Sequence, residues 1–332
     1  MAVLVTGGAG FIGSHTVDLL VEEGTEVVVI DDLSSGKLEN LEHTVPFYRL
    51  DVRSKEVERC FLEHEIDAVI HLAAQVSVES SLKEPQRDME INLGGTLNLL
   101  ELCRKHDVAK FVFASSVAVY GEPKYVPVDE QHELAPLAPY GCSKLASEFY
   151  LKLYSRLYGL QTVSLRYANV YGPRQRSDGE GGVIAIFARR ALLGEPLVIY
   201  GDGNQTRDFV YVRDVARANL LALGRSVKSL GLNIATSKET SINQLVEILK
   251  QQLGKDLFKY YLKEFGFGSL TGIELPDEAR GNIENLDKPG EIYLATASFG
   301  QGITATPLQV ANFFLLVANR GKPVKWPSMV LF

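Results

Sequence analysis

The 332-residue sequence lacks the features that mark extracellular, membrane-spanning and metal-binding proteins. Its three cysteines, Cys60, Cys103 and Cys142, are scattered and show no metal-ligand spacing, so we expect free thiols in a reducing compartment and no metal site. No uninterrupted apolar run approaches the length of a membrane span. Because a predicted strand begins at residue 2, we also expect no signal peptide. These absences together predict a cytoplasmic protein without a membrane partner.

The sequence also lacks the positive charge that is typical of a nucleic-acid-binding protein. It has 34 Lys and Arg residues against 41 Asp and Glu residues, which gives a net charge of −7. No basic stripe interleaved with aromatic residues is present, so we expect no nucleic-acid partner. The length is instead sufficient for a large core and for two domains or lobes.

Strand-like and helix-like segments alternate as far as about residue 253. This alternation predicts an α/β fold, a Rossmann-type doubly wound parallel sheet with a smaller mixed lobe. The predicted strands lie at residues 3–5, 27–30, 45–50, 68–72, 110–114 and 162–166. Long amphipathic helices are predicted at 84–105 and 139–158, shorter helices at 181–193, 213–225 and 242–253, and short strands at 197–200 and 207–212. We expect a nucleotide-binding domain over 1–166 and a partial second lobe over 167–254.

A glycine-rich turn follows the first predicted strand. Gly8, Gly10 and Gly13 fit the Gly-x-Gly-x-x-Gly dinucleotide fingerprint, and Gly7 begins a looser pattern with glycines at every third position. A predicted helix follows, and its N-terminal N–H groups can bind a pyrophosphate. Asp31 ends the second predicted strand, 18 residues after Gly13, at the offset of a carboxylate that binds the adenosine ribose. An acid there disfavours a 2′-phosphate, so the pattern predicts NAD rather than NADP.

A tyrosine and a lysine in the helix over 139–158 form a second chemical motif. Tyr140 and Lys144 are four residues apart and therefore lie on one face of the helix. A nearby ammonium group and a bound nicotinamide are expected to lower the pKa of the phenol and make it a usable base. Ser116, at the end of a preceding strand, is placed to hydrogen-bond a reacting hydroxyl. On its own, a Tyr-x-x-x-Lys pair is common on helices and indicates a core tyrosine beside a solvated lysine. After the glycine-rich fingerprint, and with Ser115 and Ser116 at a strand end, it indicates a catalytic pair instead.

Seven motifs together resemble the extended short-chain dehydrogenase/reductase family, the NAD-dependent epimerases and dehydratases. In chain order they are Thr6-Gly-Gly-Ala-Gly-Phe-Ile-Gly-Ser-His15, His71-Leu-Ala-Ala74, Asn92-x-x-Gly-Thr96, Ser115-Ser-Val-Ala-Val-Tyr-Gly121, Tyr140-x-x-x-Lys144, Arg166-Tyr-Ala-Asn-Val-Tyr-Gly-Pro-Arg174 and Arg207-Asp-Phe-Val-Tyr-Val-Arg-Asp214. The resemblance covers about residues 1–253 and is strongest to nucleotide-sugar epimerases of the UDP-glucose 4-epimerase type.

The resemblance implies tightly held NAD⁺, a UDP-sugar substrate and a homodimer formed through the helices 84–105 and 139–158. It implies that Tyr140 removes the proton of the sugar 4-hydroxyl while C4 is oxidised, and that the 4-keto sugar is then reduced on its other face. Ser116, Tyr140 and Lys144 fall on catalytic positions.

The cofactor positions implied by the resemblance are Gly7, Gly10, Phe11, Ile12, Gly13, Asp31, Asp32, Ser35, Gly36, Asp51, Val52, Leu72, Ala73, Ala74, Asn92, Tyr140 and Lys144. The implied substrate positions are Ser116, Tyr140, Asn169, Val183, Val198, Tyr200 and Arg207. Arg207 suits a diphosphate because its planar guanidinium can pair with two oxygens. A salt bridge with Asp208 or Asp214 is the alternative for Arg207, and a loop cap is the alternative for Asn169.

Related dehydratases and decarboxylating enzymes carry an acid directly after the catalytic Ser or Thr. Val117 and Ala118 stand there in this chain and cannot transfer a proton. This difference favours epimerisation at C4, which requires no second acid–base group.

The family pattern stops near Gly254. The Arg-x-Gly-Asp stretch and the last amphipathic helix of the family are missing, and about residues 257–323 resemble part of a penicillin-binding transpeptidase domain instead. The nucleophile and Lys-Thr-Gly motifs of that domain are missing too, so we expect no transpeptidation. We interpret the chain as a truncated epimerase joined to a foreign fragment of uncertain fold over 255–332. We expect lower stability, and weaker nucleotide-sugar binding because the missing stretch would supply one of the family's two arginines for the diphosphate. Arg280 and Arg320 are the only candidates in the tail to replace it, and we expect neither to do so.

Two other interpretations remain open. The chain could be another extended-family enzyme with a different nucleotide sugar, or a non-catalytic or impaired NAD-binding fusion protein. The complete set of Ser116, Tyr140 and Lys144 argues against the second interpretation, and the replaced ending argues for it.

Overall fold

The computed structural model describes residues 2–178, 181–193, 195–224, 229–253, 255–271, 279–288 and 303–318. The chain divides into two compact units. The first comprises Met1–Arg189 and Ile199–Ile242, and the second comprises Arg190–Val198 and Asn243–Phe332.

The strands of the first unit form mainly where the sequence has β-branched and aliphatic runs. They are β1 Ala2–Thr6, β2 Glu26–Asp31, β3 Phe47–Arg49, β4 Ile66–His71, β5 Lys110–Ser116, β6 Gln161–Tyr167, β7 Asn169–Tyr171, β8 Thr206–Arg207, β9 Phe209–Tyr211, β10 Ser229–Ile234 and β11 Thr240–Ser241. Among the described residues, seven of them build one parallel sheet in the order β10-β6-β5-β4-β1-β2-β3. This sheet confirms the expected fold class.

The helices lie between these strands, except the last one, which follows β11. They are α1 Phe11–Glu22, α2 Glu58–Glu63, α3 Val78–Lys83, α4 Pro85–Met89, α5 Gly95–Lys105, α6 Pro139–Tyr158, α7 Val183–Leu192, α8 Val212–Gly224 and α9 Ile242–Leu253. Helix α6 has the bounds predicted for it. Pro139 at its first turn needs no hydrogen-bond partner, and Gly159 ends it with a φ of 77°.

The sheet is buried on both faces, as parallel sheets generally are. Along β1, Leu4 belongs to the core on one side, and Val3 and Val5 belong to the core on the other. The strand order reverses between β1 and β4, so the crossovers there leave in opposite directions and a crevice opens beyond the carboxyl ends of these strands. The loops that carry the sequence motifs start at this edge.

The structure differs from the sequence-based expectation at several places in the first 253 residues. The strand predicted at 197–200 is wrong, and that at 207–212 is divided into β8 and β9, which lie in different small sheets. The helix predicted at 84–105 contains a π-helical segment at Glu90–Gly94. The seventh strand of the large sheet, β10, was not anticipated. Its glycine and polar residues have a low strand propensity, and the strand forms by pairing with β6.

The described part of the second unit has its own small core. It contains the helices α10 (Lys255–Glu264) and α11 (Pro307–Ala318) and a 3₁₀ turn at Glu284–Asp287. Leu286 of this turn is buried, with 2 % of its surface exposed. The buried Gln309 amide donates to the carbonyl oxygens of Ser269 and Arg280. Residues 289–302 of the transpeptidase-like stretch and the candidate Arg320 lie outside the described residues. In the parts of the chain that the structure describes, no helix is both long and apolar enough to cross a membrane.

We expect a buried histidine in β4 to make stability depend on pH. The ring of His71 is 1 % exposed and lies between the hydroxyls of Thr6, at 2.7 Å, and Thr96, at 3.1 Å. Burial, and then the charge of Lys144, lower its pKa to about 3. Below pH 6.5, His71 therefore becomes protonated in the unfolded chain but stays neutral in the folded chain. The free energy of unfolding falls as the pH falls.

At pH 5 the loss relative to pH 7 should be about 2 kcal/mol, because the unfolded-state pKa lies about 1.5 units above that pH. Denaturant unfolding at the two pH values measures it. The variant His71→Gln cannot titrate, so its loss between pH 7 and pH 5 should be smaller by the same amount. Equal losses in the two proteins would show that His71 does not control acid stability.

Candidate active site

Two glycines of the first loop are required by the backbone itself. Gly7 has a φ of +69°, and its N–H donates to the carbonyl oxygen of Ile30 over 2.7 Å. A side chain on Gly7 would lie 2.7 Å from the nitrogen of Ala73, and one on Gly13 would lie 2.0 Å from the oxygen of Gly7. The tight turn and the close packing of helix on strand that the motif predicts are therefore both present.

Gly10 leaves the loop open. Among the described atoms, a Cβ on Gly10 would meet only the oxygen of Gly7 within 4 Å, at 3.1 Å. Gly10 is also the N-cap of α1 and has no side chain to accept hydrogen bonds from the first N–H groups of the helix. The loop thus offers the space and the donors that a pyrophosphate needs.

Asp31 lies beside this loop at the carboxyl end of β2 and is 6 % exposed. Its carboxylate accepts hydrogen bonds from the backbone N–H groups of Ala9 and Leu33, at 3.0 and 2.8 Å. Burial raises the pKa of this carboxyl group, and the two backbone donors oppose that rise. Gly36 is required here, since a Cβ would lie 2.9 Å from both carboxylate oxygens. The buried carboxylate keeps acceptor capacity for ribose hydroxyls, and its place beside the open loop fits an NAD adenosine.

The other predicted cofactor residues fall into two groups. One group lies along the carboxyl edge of the sheet and is at least partly accessible: Phe11, Ile12, Asp32, Ser35, Leu72, Ala73 and Ala74. The other group contacts protein. Asp51 forms a bidentate pair with Arg53, which lowers the pKa of Asp51, and Val52 is buried against Gly95. The Asn92 amide accepts from the N–H of Gln75 and donates to its carbonyl oxygen.

Ser116, Tyr140 and Lys144 are brought together at the same edge of the sheet. Ser116 ends β5, and Tyr140 and Lys144 lie in the first two turns of α6. Lys144 is 3 % exposed, and its ammonium donates to the carbonyl oxygen of Ala114 over 2.8 Å and lies 5.9 Å from the centroid of the Tyr140 ring. The half-buried phenol of Tyr140 hydrogen-bonds the side chain of Ser116.

The pKa of Tyr140 in the protein alone shifts opposite to the sequence-based expectation. Burial raises it above its ordinary value, the Ser116 hydrogen bond lowers it, and the charge of Asp88 raises it further. Burial also lowers the pKa of Lys144 to about 8, against an opposing effect of Asp88. Desolvation disfavours both charged forms, so the protein without a cofactor does not by itself make the phenol a base.

The remaining predicted substrate residues lie on other elements of the chain. Asn169 begins β7 and donates through both its N–H and its amide to the oxygen of Asp208. Val183 begins α7, and Tyr200 is 83 % exposed. Val198 belongs to the second unit. Arg207 is exposed and donates to the oxygen of Thr206, and within the described residues it forms no ion pair with Asp208 or Asp214.

Sequence reasoning missed two buried polar networks around α6. In the first, Asp88 of α4 accepts hydrogen bonds from Gln75, Asn92 and Ser143. In the second, Glu148 of α6 pairs with Arg166 of β6. A signal existed for the second network, because Glu148 continues the Tyr140 and Lys144 face by one more helical turn. The described residues contain no group of three or more potential metal ligands.

A doubly wound parallel sheet with an open glycine loop at its switch point and a buried acid on the next strand defines a Rossmann-type dinucleotide-binding protein. The profile of the NAD dependent epimerase/dehydratase family matches residues 3–235. The chain belongs to this family. The profile of the penicillin binding protein transpeptidase domain matches residues 224–330, which confirms the resemblance of the C-terminal segment.

Several known proteins are similar to about three quarters of the chain. A UDP-glucose 4-epimerase of Thermotoga maritima, solved with UDP-glucose, is 50% identical with a TM-score of 0.74, over 76% of this chain and 82% of that one. The enzyme of Thermus thermophilus, solved with NAD, is 49% identical with a TM-score of 0.72, over 76% of this chain and 83% of that one. The UDP-glucose 4-epimerase of Mycolicibacterium smegmatis is 42% identical over 74% of this chain and 80% of that protein.

Proposed function

We propose that the chain is an NAD⁺-dependent UDP-sugar 4-epimerase of the UDP-glucose/UDP-galactose type. One observation carries the proposal: Ser116, Tyr140 and Lys144 lie together at the sheet edge that also holds the open loop at Gly10. The two relatives solved with UDP-glucose and with NAD, each about half identical to this chain, support the same substrate and cofactor.

The residues of the chain divide the work of the reaction. When bound, the nicotinamide would supply the hydride transfer at C4 of the sugar, taking the hydride as NAD⁺ and giving it back as NADH. Tyr140 takes the proton of the 4-hydroxyl group and later returns it to the 4-keto sugar, while Ser116 hydrogen-bonds the reacting oxygen. Lys144, held by Ala114, places a positive charge beside the phenol. Because burial raises the pKa of Tyr140 even with Lys144 in place, the phenolate form depends further on the positive charge of the oxidised cofactor.

The two residues directly after Ser116 favour chemistry at C4 over dehydration. Val117 and Ala118 belong to a short 3₁₀ turn at the end of β5, and neither has an ionisable group. A 4-epimerase needs no further acid, whereas proton transfer at a neighbouring sugar carbon would need one.

Arg207 is the proposed contact for the diphosphate of the substrate. Its guanidinium is exposed and, among the described residues, is not neutralised by an acid, so it can pair with two phosphate oxygens.

We also propose that the chain is organised as a nucleotide-binding domain over 1–166, a partial substrate lobe over 167–254 and a foreign segment over 255–332, which replaces the normal ending of the family. Affinity for the nucleotide sugar should be lower than in relatives that keep the family's second arginine.

We also propose a cytoplasmic location and a homodimer through the helices of 84–105, which include α4 and α5, and through α6. Large apolar side chains are exposed along α4 and α6, including Met89 at 50 %, Phe149 at 56 % and Leu157 at 56 %. A partner surface would remove them from water.

An epimerisation assay on the purified full chain tests the proposed function. We expect UDP-glucose and UDP-galactose to interconvert, and we expect a reduced-nicotinamide absorbance band to grow when the UDP-sugar is added to the NAD-loaded protein. Turnover of UDP-N-acetylglucosamine alone would indicate another member of the family. Bound NAD without a band and without turnover would indicate a non-catalytic module.

A variant with the C-terminal segment of an intact relative serves as the comparison. If that variant is active and the natural chain is not, the replaced ending accounts for the loss. If both are inactive, the proposal that Ser116, Tyr140 and Lys144 form a working site is wrong.

A further inference from the structure

A buried acid of α4 joins three parts of the proposed active site. Asp88 is 1 % exposed. One of its oxygens accepts from the side chain of Gln75 at 2.9 Å and from that of Asn92 at 3.1 Å, and the other accepts from the hydroxyl of Ser143 at 2.7 Å. All three partners are donors, which is the arrangement that an ionised carboxylate satisfies.

Each of the three donors comes from a segment that the proposed reaction uses. Gln75 continues the loop after β4 that holds Ala73 and Ala74, and Asn92 fixes that loop by bonding both backbone groups of Gln75. Ser143 lies between Tyr140 and Lys144 on α6. Its hydroxyl donates to Asp88 and accepts from the side-chain amide of Asn92. The position of the loop relative to α6 therefore depends on Asp88.

We propose that Asp88 is a positioning residue, which fixes the cofactor loop against the helix of Tyr140 and Lys144 and supplies a negative charge that acts on the Lys144 ammonium. The inference deepens the proposed epimerase function and rests on it for the role of that helix. None of the seven family motifs includes Asp88, and its sequence position in an amphipathic helix is equally typical of a solvated acid.

The charge of Asp88 acts on both members of the catalytic pair. It raises the pKa of Lys144 against the desolvation that lowers it, and it adds to the burial that raises the pKa of Tyr140. Two other titratable groups near the pair already have partners. The ring of His71 in β4 is hydrogen-bonded to two hydroxyls, and Glu148 on the next turn of α6 forms an ion pair with Arg166. Asp88 is thus the acid whose removal changes the charge balance of the pair.

The variant Asp88→Asn keeps the size of the side chain and removes its charge. We expect kcat to fall about 10- to 100-fold, because the loop and the helix lose their common anchor. Both limbs of the pH–rate profile should move to lower pH, since a lost negative charge lowers the pKa of Tyr140 and of Lys144 alike. An unchanged profile with a lower kcat would reduce Asp88 to a structural role.

Two neutral variants isolate the positioning part of the proposal. Ser143→Ala and Gln75→Ala each remove one donor to Asp88 and leave its charge in place. We expect weaker NAD binding or a lower kcat by several-fold, with both pH limbs at the wild-type positions. If neither variant changes binding or rate, Asp88 does not position the loop, whether or not Asp88→Asn folds.

A titration without substrate separates this inference from the proposed function. The tyrosinate absorbance of each protein minus that of its Tyr140→Phe counterpart reports the ionisation of Tyr140 alone. We expect this phenol to ionise at lower pH in Asp88→Asn than in the wild type. That result supports the role of Asp88 even if the chain does not epimerise, and equal titrations in an active enzyme overturn the role of Asp88 alone.

Discussion

Replacing Tyr140 with phenylalanine should lower the epimerisation kcat by about 100- to 10,000-fold and leave NAD bound, because general acid–base catalysis by a positioned group contributes that much. The ring would keep its place in the first turn of α6, and only the hydroxyl that bonds Ser116 would be lost. Steady-state rates on UDP-glucose and the cofactor content of the purified protein measure the two halves of this expectation.

Tyr150 offers a matched control on the same helix. Its side chain is 39 % exposed, and Tyr150→Phe removes a hydroxyl that lies ten residues after Tyr140 in the sequence. Its kcat should equal that of the wild type. A Tyr140→Phe enzyme that keeps more than about a tenth of the wild-type rate would contradict the assignment of the phenol as the base.

The pH dependence of the wild type adds a second requirement. Activity needs an ionised Tyr140, so it must be lost as the pH falls below the pKa that this phenol has with the cofactor bound. It also needs a charged Lys144, whose pKa is about 8 in the protein alone, so activity must be lost again at higher pH. The two groups are coupled by proximity, and the limbs therefore report the pair rather than either residue.

The sheet and the loops at its carboxyl edge could be predicted from the sequence because their signals are local. Val3 to Val5, the glycines that follow and Asp31 each reveal a strand, a turn or a strand end on their own. The same holds for α6, whose proline start and glycine end lie in the sequence. In contrast, β10 contains Gly231 and is stabilised by pairing with β6, which no local pattern records.

The electrostatics of the site could not be predicted for the same reason. The spacing of Tyr140 and Lys144 shows that they share a helix face, but it does not show that both are desolvated. Asp88 lies 52 residues before Tyr140 in the sequence and acts on it only after α4 packs against α6. The roles that depend on tertiary packing were therefore the ones that sequence reasoning missed.

The largest stability effect should come from Glu148→Ala. Glu148 is 1 % exposed, and its carboxylate accepts from Arg166 at 2.9 and 2.7 Å and from Ser115 at 2.6 Å. The remaining guanidinium nitrogen donates to the hydroxyl of Tyr120 at 2.8 Å. Truncation of Glu148 leaves the Arg166 charge buried without an anion, so we expect the free energy of unfolding to fall by about 3–5 kcal/mol in denaturant titrations. For a domain with an ordinary stability of about 5–15 kcal/mol, this loss is a fifth of the total or more.

Two comparisons show whether the buried charge is the cause. Glu148→Met combined with Arg166→Met removes both charges and fills the space, and it should cost much less than Glu148→Ala, because no unpaired ion remains. Glu79→Ala breaks the ion pair with Lys83, whose partners are 69 % and 70 % exposed, and it should cost less than about 1 kcal/mol. If the double variant were as unstable as Glu148→Ala, lost packing between α6 and the sheet, rather than an unpaired guanidinium, would explain the effect.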